Sequence, residues 1–338
     1  YGGVIADRIP RRTVLIVTQT VMMALALVLA ALTASGLVQP WHIVVLAFLL
    51  GTANAFDAPA RQAFTLEMVQ RQDLANAIAL NATMFNAGTA VGPAIAGFVY
   101  ALFGPAWCFF LNGVTFVAVI AALFAMKLAP MARSARRAST LSDLKEGLSY
   151  VAHQPTVRTI MLVVGAMSLF VLAYGTLVPA WAVRILGGDA TTNGFLQSAR
   201  GIGALSSSLV IASLGRFNYK GKLLTVGTIA LPLAVLVFAQ LRWLPLSLIA
   251  LVGVGVAFMP TMNMGNALVQ GLVPDALRGR VMSVWTLVLM GMMPMGGLWA
   301  GALAQRIGEP ATVTTGALIG LSVALAVFIF FPHIRKLE

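Results

Sequence analysis

Charged side chains, cysteine and histidine are scarce in this chain of 338 residues. Only 9% of the residues are charged, whereas an ordinary soluble domain has roughly 25%. The single cysteine, Cys108, excludes a disulfide within the chain, and the three histidines are far apart in sequence and show no metal-ligand spacing. The ten acids and three histidines form no catalytic constellation. We therefore expect no metal, no cofactor and no enzyme.

Basic side chains outnumber acidic ones and give a net charge of +12. Such an excess can indicate nucleic-acid binding, but here the basic residues lie in short loops between apolar segments and not on one soluble face. Their expected electrostatic partner is the anionic surface of a membrane, and we expect no nucleic-acid partner.

Long apolar runs fill most of the chain, and hydrophobic residues make up 59% of it. A hydrocarbon core of about 30 Å requires roughly 20 apolar residues per helix. Ten segments meet this requirement and predict an all-α, polytopic membrane protein. These segments are 13–36, 41–58, 76–101, 106–126, 159–183, 193–214, 223–240, 244–266, 280–304 and 311–331.

The distribution of lysine and arginine predicts the orientation of these spans. If the loop before the first span is cytoplasmic, all but four of the 22 basic residues fall on the cytoplasmic side. The exceptions are Arg184, Arg200, Arg242 and Arg306. The positive-inside rule therefore predicts a cytoplasmic first loop and a cytoplasmic C-terminus.

A charged segment from Lys127 to Arg158 separates four spans from six. Within it, Thr140-Leu-Ser-Asp143 has the form of a capping box. Leucines and a valine then follow at helical spacing, which predicts an amphipathic helix on the inner membrane surface; a disordered linker is the alternative. These residues are Leu141, Leu144, Leu148 and Val151. We expect three parts: an N-terminal helical half at 1–127, a cytoplasmic linker at 128–157 and a C-terminal six-helix half at 158–338.

Two segments of the chain align without a gap at a constant offset, which indicates an internal repeat. Each contains a charged loop, a glycine-spaced span and a glycine turn. Val69, Gly92, Ala96, Gly97 and Gly104 align with Val273, Gly296, Ala300, Gly301 and Gly308. Parallel helical halves around a central cavity are an architecture of secondary transporters.

Residues 3–12, Gly3-Val-Ile-Ala-Asp7-Arg8-Ile-Pro10-Arg11-Arg12, form a compact basic loop. This loop resembles the motif between helices 2 and 3 of the major facilitator superfamily, with Pro10 in place of a glycine. The resemblance implies a major facilitator fold with about 10 of 12 transmembrane helices present and the first two missing.

The same resemblance implies a gate on the cytoplasmic side. The implied gating residues are Gly3, Asp7, Arg8, Arg11, Arg12 and Asp57. Asp57, at the inner end of the second span, is the expected partner of Arg8 or Arg12. Asp7 is expected near the start of the ninth span, at Arg278-Gly-Arg280. An ordinary loop that only sets topology is the alternative.

The third span contains Gly88-Thr-Ala-Val-Gly92-Pro93-Ala-Ile-Ala-Gly97. Small residues four apart allow close helix packing, and the proline bends the helix. The segment resembles the helix-5 motif that the superfamily associates with exporters and antiporters, which favours export over import.

Few polar groups lie inside the predicted spans. Arg200 is a candidate for binding an anionic substrate or for coupling, with snorkelling of its side chain to the outer interface as the alternative. Other polar residues could line a cavity or form hydrogen bonds between helices, and they are Asn81, Asn86, Asn112, Tyr174, Asn263 and Asn266.

The carrier of a coupled proton is either Asp57 or a residue of the missing helices. Drug–proton antiporters of the superfamily often have an arginine four residues before a helix-4 glycine, but Ala47 precedes Gly51 here.

The stretches 57–63 and 74–81 resemble the branch with enterobactin-type siderophore and macrolide exporters. That resemblance implies a monomeric transporter of the bacterial inner membrane. It would export an amphipathic small molecule (a drug, macrolide or siderophore) through the lipid bilayer by alternating access, in exchange for protons. An importer or lipid flippase of the same fold and a non-transporting membrane scaffold are the alternatives.

Overall fold

A computed structural model describes residues 10–68, 74–126, 140–213 and 219–337. Within these ranges the regular elements are helices. They are α1 (Arg11–Ala34), α2 (Pro40–Met68), α3 (Leu74–Phe103), α4 (Pro105–Ala125), α5 (Thr140–His153), α6 (Pro155–Ala166), α7 (Tyr174–Ala180), α8 (Ala190–Ser213), α9 (Lys220–Gln240), α10 (Leu244–Leu272), α11 (Asp275–Ile307) and α12 (Glu309–Phe330), followed by a 3₁₀ turn (Pro332–Lys336).

Each of the ten predicted spans coincides with a helix or, for the fifth, with a helical run. Eight of these are long and apolar enough to cross a membrane. A further apolar stretch, Ala87–Phe103, lies within α3. Helix α8 has sufficient length, but its sequence includes Gln197, Arg200 and three consecutive serines. The predicted all-α membrane protein is therefore confirmed.

The fifth span is not a continuous α-helix. Between α6 and α7, and again after α7, the backbone forms π-helical turns at Met167–Val171 and Trp181–Ile185. The amide of Leu172 bonds to the carbonyl of Met167 at 2.8 Å, and the amide of Leu186 bonds to that of Trp181 at 3.1 Å. Each π turn adds a residue to a helical turn, and such turns are frequent at functional sites.

The described chain divides into two compact units. The N-terminal unit comprises residues 1–84 and 98–140, and its buried apolar core is small. That core consists of Val14, Leu15, Ala60, Phe64 and Leu123. The C-terminal unit comprises residues 85–97 and 141–338 and is the more extensive. Its two apolar clusters centre on Trp181 with Phe238, and on Val164 with Trp285.

Two turn glycines support the internal repeat. Gly104 precedes α4 with φ 82° and ψ 176°, and Gly308 precedes α12 with φ 82° and ψ 162°. A positive φ strains any residue with a Cβ, so each turn favours glycine. A proline then occupies the first helical turn in both cases, where its missing amide hydrogen costs nothing.

The linker segment contains the predicted helix, α5, so its alternative as a disordered linker was wrong for residues 140–153. Its apolar side packs on its own unit: Val151 is buried, and a Cβ on Gly147 would lie 2.6 Å from the carbonyl oxygen of Arg280. Asp143 lies in the first turn, but its carboxylate pairs with the Arg280 guanidinium at 2.8 Å. Leu148, predicted on the apolar face, is 47% exposed.

Candidate functional site

Asp57 is the centre of a buried polar network in the N-terminal unit. The residue lies on α2 and is 1% exposed. Its Oδ1 accepts hydrogen bonds from Thr18 Oγ1 at 2.8 Å and from Gln19 Nε2 at 2.9 Å, both on α1. Its Oδ2 accepts from Arg61 Nε at 3.1 Å and also contacts Arg61 Nη2. Both carboxylate oxygens are therefore satisfied, as a buried anion requires.

Of the two predicted partners of Asp57, Arg8 lies outside the described residues and Arg12 does not contact Asp57. Arg12 Nη2 donates instead to the carbonyl oxygen of Phe124 on α4 at 2.8 Å. The partner of Asp57 is Arg61, one turn further along the same helix. Spacing of i and i+4 on a helix would have indicated this ion pair. Gly3, Asp7 and Arg8 lie outside the described residues, whereas Arg11 begins α1.

The start of α11 was expected to face Asp7. Within the described chain, Arg280 binds two acids of α5, with Nε 2.8 Å from Asp143 Oδ1 and Nη1 2.5 Å from Glu146 Oε1. Arg278 Nε donates to the carbonyl oxygen of Gln270 at 3.1 Å. The first turns of α11 are therefore bound to α5.

The glycine motif of α3 lies against α8 inside the C-terminal unit, but its glycines contribute unequally. Gly97 is in close contact, since a Cβ there would lie 3.1 Å from Thr191 Cα, and Thr191 Oγ1 donates to the Gly97 carbonyl at 3.2 Å. Among the described residues, no atom lies within 4 Å of a Cβ built on Gly88 or Gly92. The prediction that all three allow close packing was wrong for these two.

The tightest approach comes from glycines of the opposing helix, which the sequence reasoning missed. A Cβ on Gly194 would lie 2.5 Å from the carbonyl oxygen of Pro93. A Cβ on Gly201 would lie 2.4 Å from the carbonyl oxygen of Thr89. These two glycines are seven residues apart and therefore share a face of α8. That spacing was a usable signal.

Arg200 and Tyr174 are brought together in the C-terminal unit. Tyr174, on α7, is 3% exposed, and its hydroxyl has no hydrogen-bond partner in the described chain. The partly buried Arg200 guanidinium lies near enough to interact electrostatically with that hydroxyl, although outside hydrogen-bonding geometry. The Tyr174 ring packs edge-on against Phe238, with ring centroids 6.1 Å apart.

The remaining polar candidates are dispersed. Asn112 lines an apolar cavity of about 190 Å³ in the N-terminal unit, which Ala47 also lines. Asn81 is exposed on α3. Asn263 and Asn266 contact residues one turn away on α10. The side chain of Asn86 lies outside the described part of the chain.

Glu309, which lies between the last two predicted spans, is a second buried acid. It is the first residue of α12, is 7% exposed and accepts a hydrogen bond from Arg184 Nη1 at 2.9 Å. The Arg184 side chain is 72% exposed. This ion pair joins the π turn at the end of the fifth span to the start of α12.

Comparisons with known proteins agree with this architecture. The chain is 29% identical over 350 residues to the multidrug efflux pump Tap of Mycolicibacterium fortuitum, covering 100% of this chain and 84% of that relative. It is 24% identical to the staphyloferrin A transporter of Staphylococcus aureus, with 100% and 84% covered. It is 26% identical to the enterobactin exporter EntS of Escherichia coli K12, with 99% and 80% covered.

Solved structures show the same fold at lower identity. A POT peptide transporter superposes with a TM-score of 0.77 at 14% identity, covering 100% of this chain and 83% of that one. The nucleoside transporter NupG superposes with a TM-score of 0.72 at 14% identity, covering 98% and 86%. The model of the transmembrane secretion effector family matches residues 1–338. With the helical fold and the efflux relatives, this match shows that the chain is a multi-pass membrane transporter that belongs to the transmembrane secretion effector family of the major facilitator superfamily.

Proposed function

We propose that this transporter exports an amphipathic small molecule from the cytoplasm by alternating access, in exchange for protons. The observation that carries the proposal is the Arg200–Tyr174 pair, because it puts a cation beside a buried hydroxyl that has no hydrogen-bond partner in the described chain, within a unit whose largest core cluster is apolar. A site with a few polar groups among apolar side chains suits a ligand that has both kinds of surface. The drug efflux pump and the siderophore exporter among the relatives support the direction.

The Asp57 network has the properties of part of an inner gate. Both oxygens of its carboxylate already accept hydrogen bonds, so Asp57 fits a fixed ion-pair role better than that of a group that must exchange protons with water. The network joins α1 to α2. Arg12 at the start of α1 also binds α4. Together these contacts connect the inner ends of α1, α2 and α4.

The orientation proposed for this function places the first loop and the C-terminus in the cytoplasm. It is supported by the distribution of basic residues. A C-terminal fusion to a reporter that fluoresces only in the cytoplasm should be bright, and a C-terminal fusion to alkaline phosphatase should be inactive. The opposite pair of results would contradict this orientation.

Reconstituted proteoliposomes test the proposed export. Inverted vesicles that contain the full chain should accumulate a fluorescent amphipathic drug when their interior is made more acidic than the medium. Nigericin, which collapses the pH gradient, should abolish accumulation. Right-side-out vesicles provide the matched control for direction, since an importer would accumulate the drug in these instead. Transfer of a labelled phospholipid between leaflets without drug uptake would support a flippase. Absence of gradient-dependent movement of any compound in a chemically broad panel would refute the proposal.

A further inference from the structure

The orientation of Arg200 on α8 determines whether its side chain reaches the membrane interface. Phe195, Ile202 and Leu209 recur every seven residues, are 36–54% exposed and form the outward stripe of the helix. Successive residues of an α-helix are rotated by about 100° around its axis. With this rotation, Arg200 lies on the side of α8 opposite to all three positions. Snorkelling along the outward stripe therefore does not explain Arg200.

The side of α8 that contains Arg200 packs closely against α10. A Cβ on Gly203 would lie 2.0 Å from the carbonyl oxygen of Val252, and Ser207 Oγ donates to the Val256 carbonyl oxygen at 2.9 Å. Leu196, one turn before Arg200, is fully buried. The α8 backbone around Arg200 is therefore closely packed, and the Arg200 side chain extends within the unit toward Tyr174.

The described acids of the C-terminal unit supply no counter-ion to Arg200. No carboxylate with a described position lies within 4.0 Å of its guanidinium, and the other acids of this unit with described side chains have partners elsewhere. Asp143 and Glu146 bind Arg280, Glu309 binds Arg184, and Asp189 caps α8 through Thr192. A partly buried cation without a counter-ion is unfavourable, because its desolvation is not compensated.

The Tyr174 hydroxyl needs a hydrogen-bond acceptor, as the Arg200 guanidinium needs a negative charge. It is buried and lacks a partner in the described chain, whereas buried polar groups in native proteins are nearly always hydrogen-bonded. A guanidinium can only donate hydrogen bonds, and a tyrosine hydroxyl can donate one. An oxygen anion beside both groups would accept from each and would supply the missing charge.

We propose that Arg200 and Tyr174 form a subsite for an anionic oxygen group, a carboxylate or a phenolate, of the exported molecule. The inference rests on the proposed export function and assigns a charge preference to it. The guanidinium provides the charge and two parallel donors, whereas the hydroxyl fixes the orientation of the bound group.

Binding of two probes of the same shape tests the subsite. The probes are 1-naphthoate and 1-naphthamide, which differ in charge, and the measurement is equilibrium binding to the purified full chain in detergent. Wild type should bind naphthoate at least tenfold more tightly than naphthamide. Arg200→Gln should weaken naphthoate binding about 10- to 100-fold, the effect of losing hydrogen bonds to a charged group. It should weaken naphthamide binding far less, because a neutral amide oxygen gains less than a carboxylate from the guanidinium.

Further variants separate the site from general effects. Arg200→Lys should weaken naphthoate binding less than Arg200→Gln, because the charge remains but the planar fork is lost. Tyr174→Phe should weaken naphthoate binding severalfold and keep the fold, because the buried ring remains. Arg306→Gln is the matched control: it removes an exposed arginine of the same unit and should change nothing.

Equal binding of the two probes by wild type, or an equal loss of both in Arg200→Gln and Tyr174→Phe, overturns the subsite. If Arg200→Gln does not fold, Arg200→Lys and Tyr174→Phe decide the question. The proposed function fails in a different way. Anion-selective binding that depends on Arg200, without gradient-driven transport of any compound, refutes export and leaves the subsite standing. Gradient-driven transport of neutral amphiphiles alone supports export and refutes the anionic subsite.

Discussion

Replacement of Asp57 tests whether the buried network stabilises the N-terminal unit. Asp57→Ala removes the acceptor of the Gln19 amide, and Gln19 is 3% exposed. A buried donor without a partner costs about 1–3 kcal/mol. Thr18 loses less, because its hydroxyl also lies 3.1 Å from the carbonyl oxygen of Leu15. The Arg61 side chain is 60% exposed, so water replaces the carboxylate and the ion pair adds only about 0.5–1 kcal/mol.

These contributions predict a loss of about 2–4 kcal/mol in unfolding free energy for Asp57→Ala. Asp57→Asn retains an oxygen that accepts from Gln19 and Thr18 and should lose only the Arg61 pair, about 0.5–1 kcal/mol. The difference between the two variants measures the orphaned Gln19 amide. The assay is unfolding of the purified full chain in mixed micelles with increasing SDS, followed by circular dichroism.

A double variant provides the control. Gln19→Met in the Asp57→Ala background removes the orphaned amide at similar volume and should recover about 1–3 kcal/mol. Equal losses for Asp57→Ala and Asp57→Asn, or no recovery in the double variant, would show that the Gln19–Asp57 hydrogen bond does not stabilise this unit.

Three other contacts give further predictions. Arg280→Gln should increase hydrogen exchange in α5, because it removes two half-exposed ion pairs worth about 0.5–1 kcal/mol each. Lys145→Gln, on the exposed side of α5, should not. Equal exchange in the two variants would show that Arg280 does not hold α5. Gly201→Ala should destabilise by about 1–3 kcal/mol through backbone overlap and Gly88→Ala should not, as thermal unfolding will show, and similar midpoints would contradict the close approach. Hydrogen bonds from the first turn of α8, chiefly from the Thr192 backbone amide, lower the pKa of Asp189. The stabilisation of that turn by the cap should therefore be complete above the ordinary carboxyl pKa and should disappear as the pH falls through the lowered pKa. Hydrogen exchange at that turn measures this dependence, and Asp189→Asn, whose exchange should not depend on pH in this way, is the control.

Hydropathy and loop charge are sufficient to predict the helices of this protein, because membrane spans depend on length and apolar composition. The same reasoning works less well for contacts. Asp57 was recognised as a special acid, but its partner was sought in the loop, although Arg61 stood one turn away. Glu309 lies between two predicted spans, where exposure would be expected, yet it is buried as the first residue of α12.

Packing was the least predictable property. The motif glycines Gly88 and Gly92 were expected at a helix contact, yet Gly194 and Gly201 of the facing helix make it. Spacing alone reports which residues share a helical face, whereas the identity of the opposing helix is set by the tertiary fold. The Arg200–Tyr174 pair illustrates the same limit, because these residues lie on different helices and no periodicity links them.

The segment 85–97 packs within the C-terminal unit although it precedes the linker, and this has a consequence for biosynthesis. The hydrogen bond between Thr191 and Gly97 joins residues 94 positions apart. At a synthesis rate of about 5–20 residues per second, the earlier segment waits about 5–20 s for its partner helix. During that interval its small-residue surface is open to lipid or to membrane chaperones.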